Sequence, residues 1–253
     1  MIDGSLDLSI KNGIANLQFS HHQSNALPSV LLHKLINTIQ LLDKNAEVKI
    51  IILQSGGAKT FCAGASFDEL LALKNQEESI AFFSGFAHLL NAMRLCSKLI
   101  IGRIQGKAVG GGVGIIAACD FTFATESASI KLSELSIGIG PFVIEPAVSR
   151  KIGLAAFSEL CLLATTWKSA HWAKEKGLYA EVFPTLKALD AALVTFTKNL
   201  STYHILALAE LKKVFWQNTS HWQILLLERA AISGTLALSD ETKQALKKFK
   251  SPC

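Results

Sequence analysis

Three short, predominantly apolar runs constrain this chain most: VKIIIL at 48–53, LIIGRI at 99–104 and DFTFA at 120–124, each set off by helical or glycine-rich sequence. Strands that are apolar on both faces are covered on both, and helical crossovers between them make much of the sheet parallel. Ahead of them, residues 6–10 and 14–19 flank Lys11-Asn12-Gly13 and predict a hairpin. Pro28 opens a helix in which Val30, Leu31, Leu35, Ile39 and Leu42 recur at the helical period, and a second helix is expected over 78–95. After Gly153 the windows 154–164, 168–176, 186–200, 203–217, 221–233 and 239–249 are helical in period, and only 180–183 is a further candidate strand. With no linker and no internal sequence repeat, the expectation is an α/β core over 1–190 and a helical region over 191–253, packed on the core or on a neighbouring copy.

Half of the 253 residues are apolar and 18% are charged, which excludes disorder and exceeds what one ordinary core absorbs. The membrane is not the explanation: the longest stretch without a polar side chain, 108–119, is too short to span a bilayer and carries four glycines. Self-association is the better account. The excess of 25 Lys+Arg over 20 Asp+Glu suits an anionic small molecule. Its one local concentration, Lys243, Lys247, Lys248 and Lys250, lacks the interleaved aromatics of a nucleic-acid binder, so nucleic acid is not expected as a partner. Five cysteines without C-x-x-C spacing indicate neither a disulfide framework nor a metal centre, and the N-terminus has no basic, apolar leader pattern; a cytoplasmic protein is expected.

Glycines gather where strand gives way to helix in three places: FCAGASFDEL at 61–70, GKAVGGGVGIIAACD at 106–120 and LSELSIGIGPFVIEPAVSRKIG at 132–153. Such turns let backbone approach a ligand, and helix N-termini present unpaired N–H groups at the positive end of the dipole. Two of them can aim two amides at one oxygen, the requirement of an oxyanion hole. A competing reading is the G-x-G-x-x-A at 112–117, a dinucleotide fingerprint by letter, although it lies on a late strand and the next strand does not end in an acid. Gly106-Lys107 is followed by Ala108, so a P-loop lacks its hydroxyl. Cys62 has no histidine partner by local motif and reads as packing. Asp68 and Glu69 read as acids of a helix first turn, and Trp167, Trp172, Trp216 and Trp222 as packing.

Taken together, Ser24-Asn25-Ala26-Leu27, F-C-A-G-A at 61–65, the run from Lys98 through Gly110-Gly111-Gly112, A-C-D at 118–120 and E-x-x-x-G-I-x-P from Glu134 resemble the crotonase superfamily, the enoyl-CoA hydratase/isomerase family. The resemblance covers nearly the whole chain. It implies a crotonase-like spiral of ββα units, a C-terminal helical region engaged in trimerisation, assembly to trimers or hexamers, and an acyl-CoA thioester held as its enolate. No separate cofactor is implied, since coenzyme A is part of the substrate, and no metal. By position, the oxyanion-hole amides are those of Ala65 and Gly111. Ser24, Ala26, Ala63, Gly64, Gly110, Gly114, Pro141 and Phe142 border the substrate, and Phe249 and Lys250 are the counterparts of residues that meet CoA phosphates.

Hydratases of this family use two glutamates, and here Gly114 stands where the first would be while Glu134 matches the second. Water addition needs two positioned groups; a 1,3-proton shift needs one base. The resemblance therefore implies an enoyl-CoA isomerase with Glu134 as base, and Ile139-Gly140-Pro141-Phe142 is closer to the isomerase pattern than to the P-G-G-G of hydratases. Glu145 is a candidate auxiliary acid, or simply a favourable charge at a helix start. Asp120 is expected to accept backbone hydrogen bonds. Hydration, including branched methylglutaconyl-type substrates, and acyl-CoA decarboxylation stay open as alternatives, as does a non-catalytic module that binds CoA esters or RNA.

Overall fold

The chain begins with the expected hairpin: β1 (Ser5–Lys11) and β2 (Ile14–Ser20) pair antiparallel around Asn12 and Gly13, both at positive φ. The computed structural model describes residues 4–250. Next come α1 (Ser29–Lys44), β3 (Ile50–Ser55), β4 (Thr60–Cys62), α2 (Phe67–Ala72), α3 (Gln76–Leu95), β5 (Leu99–Ile104), β6 (Lys107–Val109) and α4 (Gly111–Ala118). β7 (Phe121–Thr125), β8 (Ile130–Lys131), a 3-10 turn at Glu134–Ile137 and α5 (Glu145–Leu162) follow. The remainder is α6 (Ala170–Glu175), β9 (Glu181–Phe183), α7 (Leu186–Ser201), α8 (Ile205–Phe215), α9 (Trp222–Ala237) and α10 (Asp240–Lys250). The expected division after residue 190 falls inside α7.

The strands form two sheets, a six-stranded one in the order β1-β2-β3-β5-β7-β9 and a three-stranded one, β4-β6-β8. Every pairing except β1 with β2 is parallel. The chain alternates between them: β3, β5 and β7 each lie in the large sheet, and each is followed by β4, β6 or β8 in the small one and then by helix. This is a spiral of ββα turns. A structural repeat is thus present where the sequence shows none, because each turn is filled by different apolar residues at equivalent places.

The three central strands are buried as their composition demands, with Ile50, Ile51, Ile100 and Ala124 fully enclosed. The helical C-terminal part is anchored to this core by a buried ion pair. Asp120, between α4 and β7, accepts from the Ile100 amide at 2.7 Å and from Trp216 Nε1 at 2.8 Å, and its Oδ2 lies 3.0 Å from Lys212 Nζ on α8. Both side chains are 2% exposed, and Lys212 also donates to the Lys98 carbonyl. Asp120 is therefore structural, as expected. Trp216 and Trp222 pack edge to face in the interior. Trp167 departs from the packing expectation: it is 39% exposed, with the ammonium groups of Lys107 and Lys131 over its ring. Among the described residues no helix is long and apolar enough to cross a membrane.

Candidate active site

A cavity of about 370 Å³ opens at the C-terminal ends of the small sheet's strands. Each strand delivers one part of it: Ala63 to Ala65 follow β4, Gly110 and Gly111 follow β6, and Ser133 and Glu134 follow β8. Crevices outside the carboxyl ends of parallel strands are where open α/β folds bind ligands. Adjacent parallel strands bring the first two segments side by side. A Cβ on Gly64, whose φ is +88°, would lie 3.0 Å from the Val109 oxygen and 3.3 Å from the Gly111 nitrogen. Gly111 is the first residue of α4, so its amide has no intrahelical acceptor. Neither that amide nor the Ala65 amide donates to backbone among the described residues. Two unspent backbone donors therefore lie on neighbouring segments of the cavity wall.

Glu134 completes the site. A Cβ on Gly110 would sit 2.8 Å from Glu134 Oε1, so the carboxyl lies directly over the glycine that precedes the Gly111 donor, and only glycine allows this approach at φ +53°. The residue as a whole is part-exposed, yet its Oε2 is buried with no hydrogen-bond partner among the described residues. Burial pushes its pKa up from 4.5 to about 7, against a smaller opposing effect of its own backbone amide. A carboxyl poised near neutrality in a cavity beside two free amides is suited to shuttling a proton.

Of the expected substrate-side residues, Ala26, Ala63, Gly64, Gly110, Pro141 and Phe142 line the cavity. Ser24 does not; it is exposed, and its carbonyl accepts from the Ala63 amide at 3.2 Å, which positions the loop. Gly114 is also set back from the cavity wall. It is buried in α4, where a Cβ would meet Ile144 Cγ2 at 2.3 Å, so Ile144 occupies the space a second glutamate would need. Gly114→Glu is accordingly expected to destabilise the fold by about 1–3 kcal/mol through overpacking, read as a lower urea midpoint. Glu145 is displaced from the role of auxiliary acid: it starts α5 outside the cavity lining, with its Oε2 4.0 Å from Arg229 Nη2. Phe249 and Lys250 end α10, but their side chains lie outside the described residues.

The sequence did not single out the apolar wall. Phe82, Phe83 and Phe86 on α3 line the cavity together with Leu70, Ile139 and Ser233 of α9, and Phe82 and Phe83 pack with Leu70 and Ile139 in one apolar cluster. The spacing of Phe82 and Phe86, one helical turn apart, was the available signal. The acids Asp68 and Glu69 serve structure: Asp68 accepts from Gln23, and Glu69 accepts from the amide and hydroxyl of Ser29 at the start of α1. Cys62 is buried and its thiol is pushed up to about 12 by that burial, which leaves it unreactive. The dinucleotide reading fails on geometry, because Gly112 and Gly114 lie inside α4, packed on Cys62 and Ile144, where no pyrophosphate can reach them.

The chain is similar to known proteins in sequence and in fold. The putative enoyl-CoA hydratase/isomerase YngF of Bacillus subtilis (strain 168) is 35% identical over 179 residues, 67% of each chain. The peroxisomal Delta(3,5)-Delta(2,4)-dienoyl-CoA isomerase of Arabidopsis thaliana is 28% identical over 205 residues, 75% of this chain and 72% of that one. The crystal structure of an enoyl-CoA hydratase from Bacillus halodurans superposes with a TM-score of 0.90 at 21% identity, covering 96% of this chain and 98% of the other, and establishes the crotonase fold. The profile of the enoyl-CoA hydratase/isomerase family matches residues 9–250, a span that contains both glycine turns and Glu134, and the chain belongs to that family.

Proposed function

We propose that this protein is an enoyl-CoA isomerase that moves a double bond from C3 to C2 with Glu134 as its single base. The observation that carries the reading is the one carboxyl among the described cavity-lining residues, with Ile144 packed where a second would stand. In this reaction the Glu134 carboxylate removes a proton from C2 of a 3-enoyl thioester. The electron pair runs into the thioester carbonyl, whose oxygen is held by the amides of Ala65 and Gly111. The same carboxyl then delivers the proton to C4, leaving the C2–C3 double bond, with no separate cofactor. Low dielectric strengthens both amide bonds to the developing charge.

The deciding experiment supplies 3-enoyl-CoA and trans-2-enoyl-CoA separately and follows the absorbance of the conjugated thioester. Isomerisation makes it appear from the first substrate; loss of it from the second, with uptake of water, would instead establish a hydratase. Because the base must be ionised, kcat/KM is expected to rise with pH through about 7 and level off above it. A profile that falls through that range would mean Glu134 acts as an acid. We also propose that the protein self-associates as a trimer or hexamer, since α8 and α9 leave Leu206, Val214, Phe215 and Ile224 exposed. Light scattering would reveal a monomer if that is wrong.

A further inference from the structure

Lys131 is the cationic residue of the cavity lining, three positions before the base and on the same strand end. Its carbonyl accepts the Gly110 amide at 3.0 Å, which fixes this part of β8 against the turn that carries the Gly111 donor. Val109 is its register partner on β6, so Lys107, two residues earlier, projects from the same face. Trp167 stands beside β8 through the Ile130–Lys168 bridge. The Lys107 and Lys131 ammonium groups lie 5.0 Å and 4.8 Å from its ring centroid.

Two like charges share one indole, and neither has an acidic partner within ion-pair distance among the described residues, whereas neighbouring Lys168 is paired with Glu159. A cation–π contact at an exposed ring contributes only about 0.5–1 kcal/mol, and mutual repulsion opposes holding two cations there. An anion arriving between them would relieve the repulsion and form charge-assisted hydrogen bonds. Its place along the substrate follows from Glu134. The base acts on acyl carbons, and Lys131 lies three residues before it at the end of the same strand and in the same cavity lining.

We propose that Lys131, with Lys107 and Trp167, recognises a carboxylate on the acyl portion of the substrate, which makes the substrate class a CoA thioester of a dicarboxylic acid. This rests on the acyl-CoA reading above. The apolar wall of Phe82, Phe86 and Ile139 takes the hydrocarbon between the thioester and that carboxylate.

The test uses binding of saturated thioesters, which cannot isomerise, so it is independent of the reaction. Calorimetric titration compares hexanoyl-CoA with hexanedioyl-CoA, together with the matched butanoyl and octanoyl pairs. At least one dicarboxylic ester is expected to bind about tenfold more tightly than its partner, as one charge-assisted pair would give. Lys131→Met and Lys107→Met should shrink that ratio and Lys131→Arg should retain it, a rescue that a folding defect would not produce. Equal affinity within every pair, or a ratio unchanged in both Met variants, overturns the inference while leaving the acyl-CoA reading intact. Equal weakening of both members in Lys131→Met would place a CoA phosphate at the cluster and also overturns it. Failure of every thioester to bind the unmodified protein removes the acyl-CoA reading and this inference with it.

Discussion

Glu134→Gln is expected to lower kcat for isomerisation by about 10²–10⁴-fold, the usual contribution of a positioned general base, while thioester binding persists. The substitution keeps shape and removes only the ability to carry a proton. It also carries a stability signature. The folded-state pKa of about 7 lies above the ordinary 4.5, so between these values the unfolded chain has already released the proton that the folded chain retains. Stability therefore falls as pH rises from about 4.5 to about 7, and the cost is fully present above that window. Gln carries no such cost, so the variant should be at least as stable as the unmodified protein at pH 8. Urea unfolding at pH 5 and pH 8 measures this. A variant that is both active and pH-insensitive would remove Glu134 from the mechanism, and one that is inactive because it is unfolded would be recognised by its transition.

The second large effect is structural. Asp120→Ala is expected to destabilise the fold by about 3–5 kcal/mol, because it strands the Lys212 ammonium at a site only 2% exposed. Trp216 Nε1 and the Ile100 amide lose their acceptor in the same step. Lys212→Met in the Asp120→Ala background should recover part of the loss, since it removes the stranded charge, and the non-additivity of the pair is the coupling between the α4–β7 junction and α8. A loss below about 1 kcal/mol in Asp120→Ala would mean that water reaches Lys212, and that the C-terminal helices are held by apolar packing alone.

Much of the large sheet was legible because its strands are long enough to announce themselves. The run at 99–104 coincides with β5, those at 48–53 and 120–124 correspond to β3 and β7 with shifts of two and one residues, and the Asn12-Gly13 turn fixed the hairpin. The small sheet was not legible. β4, β6 and β8 have three, three and two residues, too few to display any period, and their pairing is imposed by the spiral. At the candidate site, Glu134, Ala65 and Gly111 were singled out by the resemblance of their segments to the family's motifs, and all three line the cavity. Lys131 was invisible as a cavity residue, since its place depends on the register of Val109 with β8. The absence of Glu145 from the cavity lining, where it lies near Arg229, and the burial of Gly114 against Ile144 were likewise set by tertiary contacts.

The contact between Gly114 and Ile144 bears on the paths by which this chain can change its chemistry. A carboxylate gained at position 114 alone collides with Ile144, and a smaller residue gained at 144 alone leaves a void in the wall with nothing to fill it. Each single step is harmful, and only both together could open a two-acid site. The pair thus works as a ratchet: a second acid at this place is reached only by a two-step crossing through less stable intermediates.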